Sequence, residues 1–367
     1  MKTFPAALLC ILFAFPALAQ QPPHDPVAVA NQGTVGVITG MEGGTYARTA
    51  SDLTILDDPT LRVLPILGKG SLQNLSDILY LKGVDIGFVQ SDALTYAKQH
   101  GMFPGELTRK ISYIAALYNE EVHVLARRDI TRVEDLNGNR VNVDVVGSGS
   151  AMTAEILLDT LGIKAKIEHE KQINGVQELK RGEIAAIIHV GGAPIPLLAD
   201  IPGDSGIHFI PVAFSPALAE TYLPAQFTHE RYPSLVAADA PVPTIAVGDV
   251  MAVFAWQPGT ERYTKVARFV DAFFSKFDQF QQPPRHPKWR EVNLTAEVPG
   301  WTRFQASADW LARRTAAGTA DDATQRRFDL FLSQVNPPPA GQLTDAARAA
   351  LFEKFLVWNK QQQAAVR

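Results

Sequence analysis

The sequence predicts an α/β fold built as two lobes, and three observations carry that expectation. From Gly33 onward, short β-branched runs alternate with amphipathic segments, the pattern of strands joined by helices in a mostly parallel sheet. Strand after strand then ends in a small, polar, glycine-bearing loop that opens into a helix. The chain has 367 residues, too many for one core and about right for two domains at roughly 150 residues each.

The strands read at Gly33 to Thr39, Leu61 to Leu67, Val84 to Gln90, Ile111 to Leu117, Val122 to Arg127, Val141 to Val146, Ile184 to Val190, Ile207 to Val212 and Thr244 to Trp256. Helices fill most of the gaps. One begins near Ser71 and stops at Gly83, and another runs from Ser91 to Gly101. Thr131 and Glu134 have the spacing of a capping box ahead of the short Asp135-Leu136 turn, and Ser215-Pro216 reads as an N-cap followed by proline at the first helical position. Tyr263, Val266, Val270, Phe273, Phe277 and Phe280 alternate at three and four, so Thr260 to Phe280 reads as one long helix, supported locally by Glu261 and Lys265. Proline clusters at Pro283-Pro284, Pro287 and Pro337 to Pro339 break the remainder into a tail of separate helices. The last of these runs from Thr344 to about Gln361, with Leu351, Phe355 and Trp358 on one face.

Composition narrows the class. The chain is 46% hydrophobic and 20% charged, a globular balance, and Lys+Arg 34 against Asp+Glu 38 gives a net charge of -4 with no basic stripe, which argues against a nucleic-acid partner. Lys2, the apolar stretch from Phe4 to Leu18 and the small residues Ala17 and Ala19 read as a signal peptide, residues 1–19, cut after Ala19 for export to the periplasm. The one cysteine, Cys10, lies inside that segment, so the mature chain has no thiol for a disulfide, an iron–sulfur cluster or a nucleophile. Beyond the signal no run of about 18 apolar residues remains to span a membrane.

The chemistry is expected in the loops at the strand ends. They are Gly40 through Tyr46, Gly68 to Ser71 with Asn74, Gln90 to Asp92, Gly147 to Ser150, and Gly191 to Pro194. Open α/β sheets bind ligands beyond the carboxyl ends of their strands, and free N–H groups at a helix N-terminus favour an anion. Several such ends facing one cleft would form a carboxylate site. At roughly 1.5–3 kcal/mol for each charge-assisted bond, four or five with losses reach the ~8 kcal/mol of micromolar binding. Lys69 is the obvious counter-charge, and Glu42 puts a negative charge in the first loop. A glycine after a strand also simply lets the chain turn, so the recurrence carries the signal rather than any one loop.

Catalytic and cofactor signatures fail one by one. Gly68 to Ser71 is no phosphate loop, because position 63 is Val and Gly follows the Lys, and Gly40 to Gly44 lacks dinucleotide spacing. His169-Glu170 and His229-Glu230 lack a second His four residues after the first, leaving no helical zinc pair. Gly203 to Gly206 is no nucleophile elbow. His189 closes an apolar strand beside Gly191 and reads either as a cleft residue or as a core histidine. Trp301 and Phe304 read as packing.

Over about Val35 to Trp256 the sequence resembles the TAXI-type solute-binding proteins of TRAP transporters. The matching stretches are Thr39 to Tyr46 (TGMEGGTY), Gly70 to Leu75 (GSLQNL), Gly83 to Asp92 (GVDIGFVQSD), Asp135 to Val141 (DLNGNRV), Gly147 to Ser150 (GSGS) and Gly191 to Pro194 (GGAP). The resemblance implies a type II periplasmic binding protein with a helical C-terminal tail, a monomer without cofactor or metal, closing on a glutamate-like amino acid, an oxo-acid or a dicarboxylate. Residues 28–125 would begin lobe I, 126–243 form lobe II, 244–310 return to lobe I, and 311–367 form the helical extension. Thr45 and Tyr46 would grip the ligand with Ser71, Asn74 and Gln90 nearby, and Ser148 and Ser150 would meet it from the other lobe. Thr39, Gly44, Lys69, Ser91, Gly149, His189 and Gly192 complete the expected site. Where this family often has two tyrosines after the threonine, the second position here is Ala47. The implied partner is a TRAP membrane subunit. A receptor for a membrane sensor is the alternative, and a hydrolase using Ser148 or Ser150 with His189 is a more distant one.

Overall fold

The structure, a computed structural model, describes residues 33–315. The expected signal segment with Cys10, and the tail helix from Thr344 to about Gln361, lie outside the described residues. In chain order the elements are β1 (Thr34–Ile38), α1 (Thr45–Asp52), β2 (Arg62–Ile66), α2 (Ser71–Tyr80), β3 (Ile86–Gln90), α3 (Ala93–Gln99), α4 (Leu107–Lys110) and β4 (Ile111–Arg127). Then come β5 (Arg140–Asn142), α5 (Gly149–Thr160), β6 (Lys166–Glu168), α6 (Gln172–Lys180), β7 (Ala186–Gly191), α7 (Pro196–Ala199), β8 (Ile207–Phe209), β9 (Leu223–Phe227), β10 (Val242–Phe254), α8 (Glu261–Ser275) and α9 (Phe277–Phe280).

One continuous sheet runs β2-β1-β3-β10-β4-β7-β5-β6, with β8 paired to β4 and β9 to β10. β1 pairs parallel with β2 and β3, and β5 pairs parallel with β6 and β7, while β10 returns antiparallel between β3 and β4. The two long strands are shared. The first half of β4 pairs with Gly248 to Phe254 of β10, and its second half, Glu121 to Ala126, pairs with β7; the start of β10 pairs with β9. Side chains on a strand alternate between faces, so each half of the sheet buries two cores. In one half Ile114 and Met251 face a core with α1 and α8, while Ile111, Tyr113 and Val250 face one with α2 and α3. In the other half Val122, Val124 and Ile188 face α5, while Leu125 and Ile187 face α6 and α7. The result is a two-lobed α/β architecture of helix-covered sheets joined by β4 and β10.

α8 begins at Thr260, whose hydroxyl accepts the Tyr263 N–H, and buries Val266, Phe269, Val270, Phe273 and Phe274. Each such side chain is worth roughly 1.5–3 kcal/mol. Its register is fixed by Asp85, a buried carboxylate that accepts from Lys265 Nζ at 2.7 Å, Arg262 Nη1 at 3.3 Å and the Gly36 N–H at 3.0 Å. Gly36 has to be glycine, because a methyl there would land on the Gly83 carbonyl oxygen.

Several boundaries differ from the sequence reading. Ile111 to Leu117 and Val122 to Arg127 are one strand, because Asn119, Glu120 and Glu121, which look like a break, pair in register with β10. The strand expected to Val146 stops at Asn142, since Asp144 takes a left-handed φ of 80° and turns the chain; the one expected to Val212 stops at Phe209. The long helix breaks at Lys276 into α8 and α9, and Phe277 and Phe280 instead close around Trp289. Ser215-Pro216 begins a run of turns, and the carboxylate capping the Val133–Leu136 turn is that of Asp135, which accepts from the Thr131 and Arg132 N–H groups in place of Glu134. β6 and β9 were not legible, being short and mostly exposed. Trp301 and Phe304 are core residues, as expected.

Asp85→Ala strands the Gly36 N–H and two cations, so the protein is expected to lose about 2–4 kcal/mol of unfolding free energy in urea titration.

Candidate functional site

A cavity of about 70 Å³ lies where the two lobes meet, at the carboxyl ends of the strands. Its walls come from the loop after β1 (Gly40, Met41, Gly44), the start of α1 (Thr45, Tyr46), the loop after β2 (Lys69, Gly70), the end of β3 (Gln90), the middle of β4 (Glu120), Asp144, the start of α5 (Ser148, Gly149, Ser150) and the end of β7 (His189 to Gly191). The first turns of α1 and α5 border it, each leaving backbone N–H groups without intrahelical partners, and α2 reaches it only through its N-cap, Gly70. Ser148 caps α5, its hydroxyl accepting the Ala151 N–H at 3.0 Å.

Acids also gather here. Glu120 is 4% exposed and accepts a 3.5 Å contact from Gln90 Nε2. Tyr46 donates to Asp249 Oδ1 at 2.7 Å, and Asp249 Oδ2, also buried, has no partner. Burial, and for Glu120 the neighbouring Asp249 charge, hold both carboxyls well above the usual carboxylate range. Burial also pushes Asp144 up to about 6 and the His189 imidazole down to about 4, so that ring is neutral at pH 7. Adjacent strand residues point to opposite faces, and Glu121 shows the contrast. It accepts from Lys288 Nζ at 2.9 Å, Arg231 Nη1 at 2.7 Å and the Ala193 N–H at 2.9 Å. Glu121 is fully partnered, whereas Glu120 faces the cavity nearly bare.

The lobes are in contact around this cavity. The Gly192 N–H donates to Thr45 Oγ1 at 3.1 Å, the Gln73 N–H to the Gly147 carbonyl at 3.1 Å, and Tyr96 Oη to Glu155 at 2.7 Å. Thr153 Oγ1 bridges Gln90 Oε1 at 3.5 Å and Asp92 Oδ2 at 3.3 Å.

Of the residues expected from sequence, Gly44, Thr45, Tyr46, Lys69, Gln90, Ser148, Gly149, Ser150 and His189 line the cavity. Others stand behind the wall. Thr39 is spent on the Gly40 and Ile66 carbonyls, Asn74 donates to the Phe88 carbonyl, Ser71 braces Gln90 by accepting its backbone N–H at 3.0 Å, and Gly192 holds Thr45. Ser91 lies outside, on a second cavity, and Glu42 is exposed away from both. Neither serine is paired with His189: Ser148 caps its helix, and Ser150 Oγ accepts the Val190 N–H at 2.9 Å. Sequence reasoning missed Glu120, Asp144 and Asp249. The available signal was a charged residue interrupting an otherwise apolar strand, at Glu120-Glu121 and again at Asp249.

Among the described residues no group of His, Cys, Asp and Glu is arranged to hold a metal, and no helix is long and apolar enough to cross a membrane. The model of the NMT1-like family matches residues 37–296. Among solved structures, one titled as a periplasmic transporter is similar at 11% identity and a TM-score of 0.49, covering 72% of this chain and 90% of that one. Tv2483 bound to L-arginine is similar at 13% identity and a TM-score of 0.43, covering 73% and 95%. A mutant of ArgBP from T. maritima is similar at 13% identity and 0.42, covering 70% and 94%.

Asp92 ties the lobes together through Thr153, and burial raises its carboxyl to about 7. Because this folded value lies above the ordinary carboxylate value, its ionisation opposes folding fully above pH 7, and the penalty disappears as pH falls toward 4. Asp92→Asn is therefore expected to raise the melting temperature at pH 8 by about 1–2 °C, roughly 1 kcal/mol in a chain of this size, and to flatten its rise between pH 8 and pH 5 in a pH series of thermal melts.

Proposed function

This chain belongs to the NMT1-like family, and from that membership and the cleft between its lobes we propose that it is an exported solute receptor for a glutamate-like amino acid, passed on to the membrane subunit of a TRAP transporter. The single observation that carries the ligand class is the polarity of the cavity. The cavity carries both kinds of group: the first turns of α1 and α5, with Gly70 just ahead of α2, suit carboxylate groups, and Glu120, behind which Tyr46 pairs with Asp249, suits an ammonium. Thr45, Tyr46, Gln90, Ser148 and Ser150 hold the solute, with Lys69 at the mouth. An oxo-acid or a dicarboxylate would satisfy the helix ends but leave Glu120 without a cation. Losing one charge-assisted bond of roughly 1.5–3 kcal/mol sets such acids about tenfold or more below the amino acid. Delivery to a TRAP subunit is supported by the loop motifs that resemble the TAXI type and by the N-terminal sequence that reads as a signal peptide.

Thermal-shift and calorimetric titrations of the exported protein with L-glutamate, 2-oxoglutarate, succinate and L-arginine test this reading. L-glutamate is expected to bind and to stabilise by about 2.7 kcal/mol at a hundred times its Kd, with Tyr46→Ala and Glu120→Gln each weakening it at least tenfold. Equal affinity for glutamate and 2-oxoglutarate removes the role given to Glu120, and no response to any of the four removes the solute class. Uptake of labelled glutamate by vesicles carrying a TRAP membrane subunit, dependent on added receptor, tests the partner.

A further inference from the structure

A second cavity, about 550 Å³ and far larger than the first, opens at the lobe junction. The two share no lining residue, and the row Gln90–Thr153–Asp92 stands between them. Its walls come from both lobes: Asp92 and Tyr96 on α3 with Val298 on one side, Ile156 on α5 with Glu220 and Thr221 on the other. Asp92 is 5% exposed, and its Oδ2 takes two long hydrogen bonds, from Thr153 at 3.3 Å and Tyr222 Oη at 3.4 Å. Its Oδ1 is buried with no partner, on a residue that lines this cavity. A carboxylate oxygen so placed is costly unless something supplies a proton donor. No Lys, Arg or His lines the cavity to do so, and the other carboxylate, that of Glu220, is on the exposed rim.

We propose that this cavity is a second binding site, for a small organic cation carrying a primary ammonium on an apolar body. The ammonium donates to Asp92 Oδ1, and the hydrocarbon lies against Ile156, Val298 and the Tyr96 ring. Short stems of this kind gain from apolar contact while the charged head finds the single buried acceptor. Because the walls come from both lobes, the site is complete only when the lobes are together. Its occupant therefore favours the closed form, and by linkage tightens binding in the first cleft by the same factor that the cleft solute tightens its own.

The test is calorimetric titration of the full chain with n-butylammonium at pH 8, where Asp92 is ionised. Saturable one-to-one binding is expected, lost at least tenfold in Asp92→Asn and blocked in Ile156→Trp, which fills the cavity from the opposite lobe. Thermal melts of each variant show that it is folded. Glu120→Gln is expected to keep butylammonium binding while losing glutamate, which separates this site from the cleft and lets either proposal fail alone. No binding at millimolar butylammonium, undiminished binding in folded Asp92→Asn, or loss of binding in Glu120→Gln each overturns the second site.

Discussion

Everything in this structure hangs on two antiparallel strands that belong to both lobes at once. β4 and β10 pair with each other along the lobe junction, and each then continues into a different neighbourhood, β4 beside β7 and β10 beside β9. A strand that changes cores midway must carry side chains suited to neither core at the crossing. Here the crossing holds Glu120, Glu121, Gly248 and Asp249. Backbone pairing keeps the strand continuous through these residues, and period-two alternation sends Glu120 to the cavity and Glu121 to Lys288 and Arg231. The acids that give the cleft its character are thus a consequence of where two shared strands must pass.

Charge partnering separates the residues that hold the molecule from those open to a ligand. Asp85 and Glu121 are buried acids with every oxygen engaged by cations or backbone N–H groups. Lys288, 1% exposed, is likewise shared between Glu121 and Glu291. Asp249 and Asp92 are as deeply buried and each keeps one oxygen without a partner, and burial raises both, as it raises Glu120. A fold retains such groups at a cost in stability when a visiting group completes them. The proposed ligand positions rest on the unpartnered oxygens that lie at the two cavities.

The loops announced themselves in the sequence because their requirement is local. A strand that ends in glycine and opens a helix must do so whatever surrounds it, and nine of the expected residues line the cavity. Thr39, Asn74 and Ser71 were read as contacts because they have the right chemistry in the right loops, yet the two hydroxyls and the Asn74 amide N–H are taken by nearby backbone carbonyls and by Gln90. Lone donors in a loop look alike in sequence whether they face inward or outward.

The sequence by itself determined the alternation of strands and helices, the α8 stripe and the recurrence of anion-friendly helix ends, since each follows from spacing and local conformational preference. Long-range pairing made Ile111 to Arg127 one strand, brought the helix ends into one cleft with Glu120, and left Asp92, on a second cavity, with one oxygen unpartnered. These depend on which distant segments pair across the sheet: Glu120 lies opposite Val247, and Thr153 reaches Asp92 from the other lobe. Burial and partnering are properties of such long-range neighbours, and no local pattern encodes them.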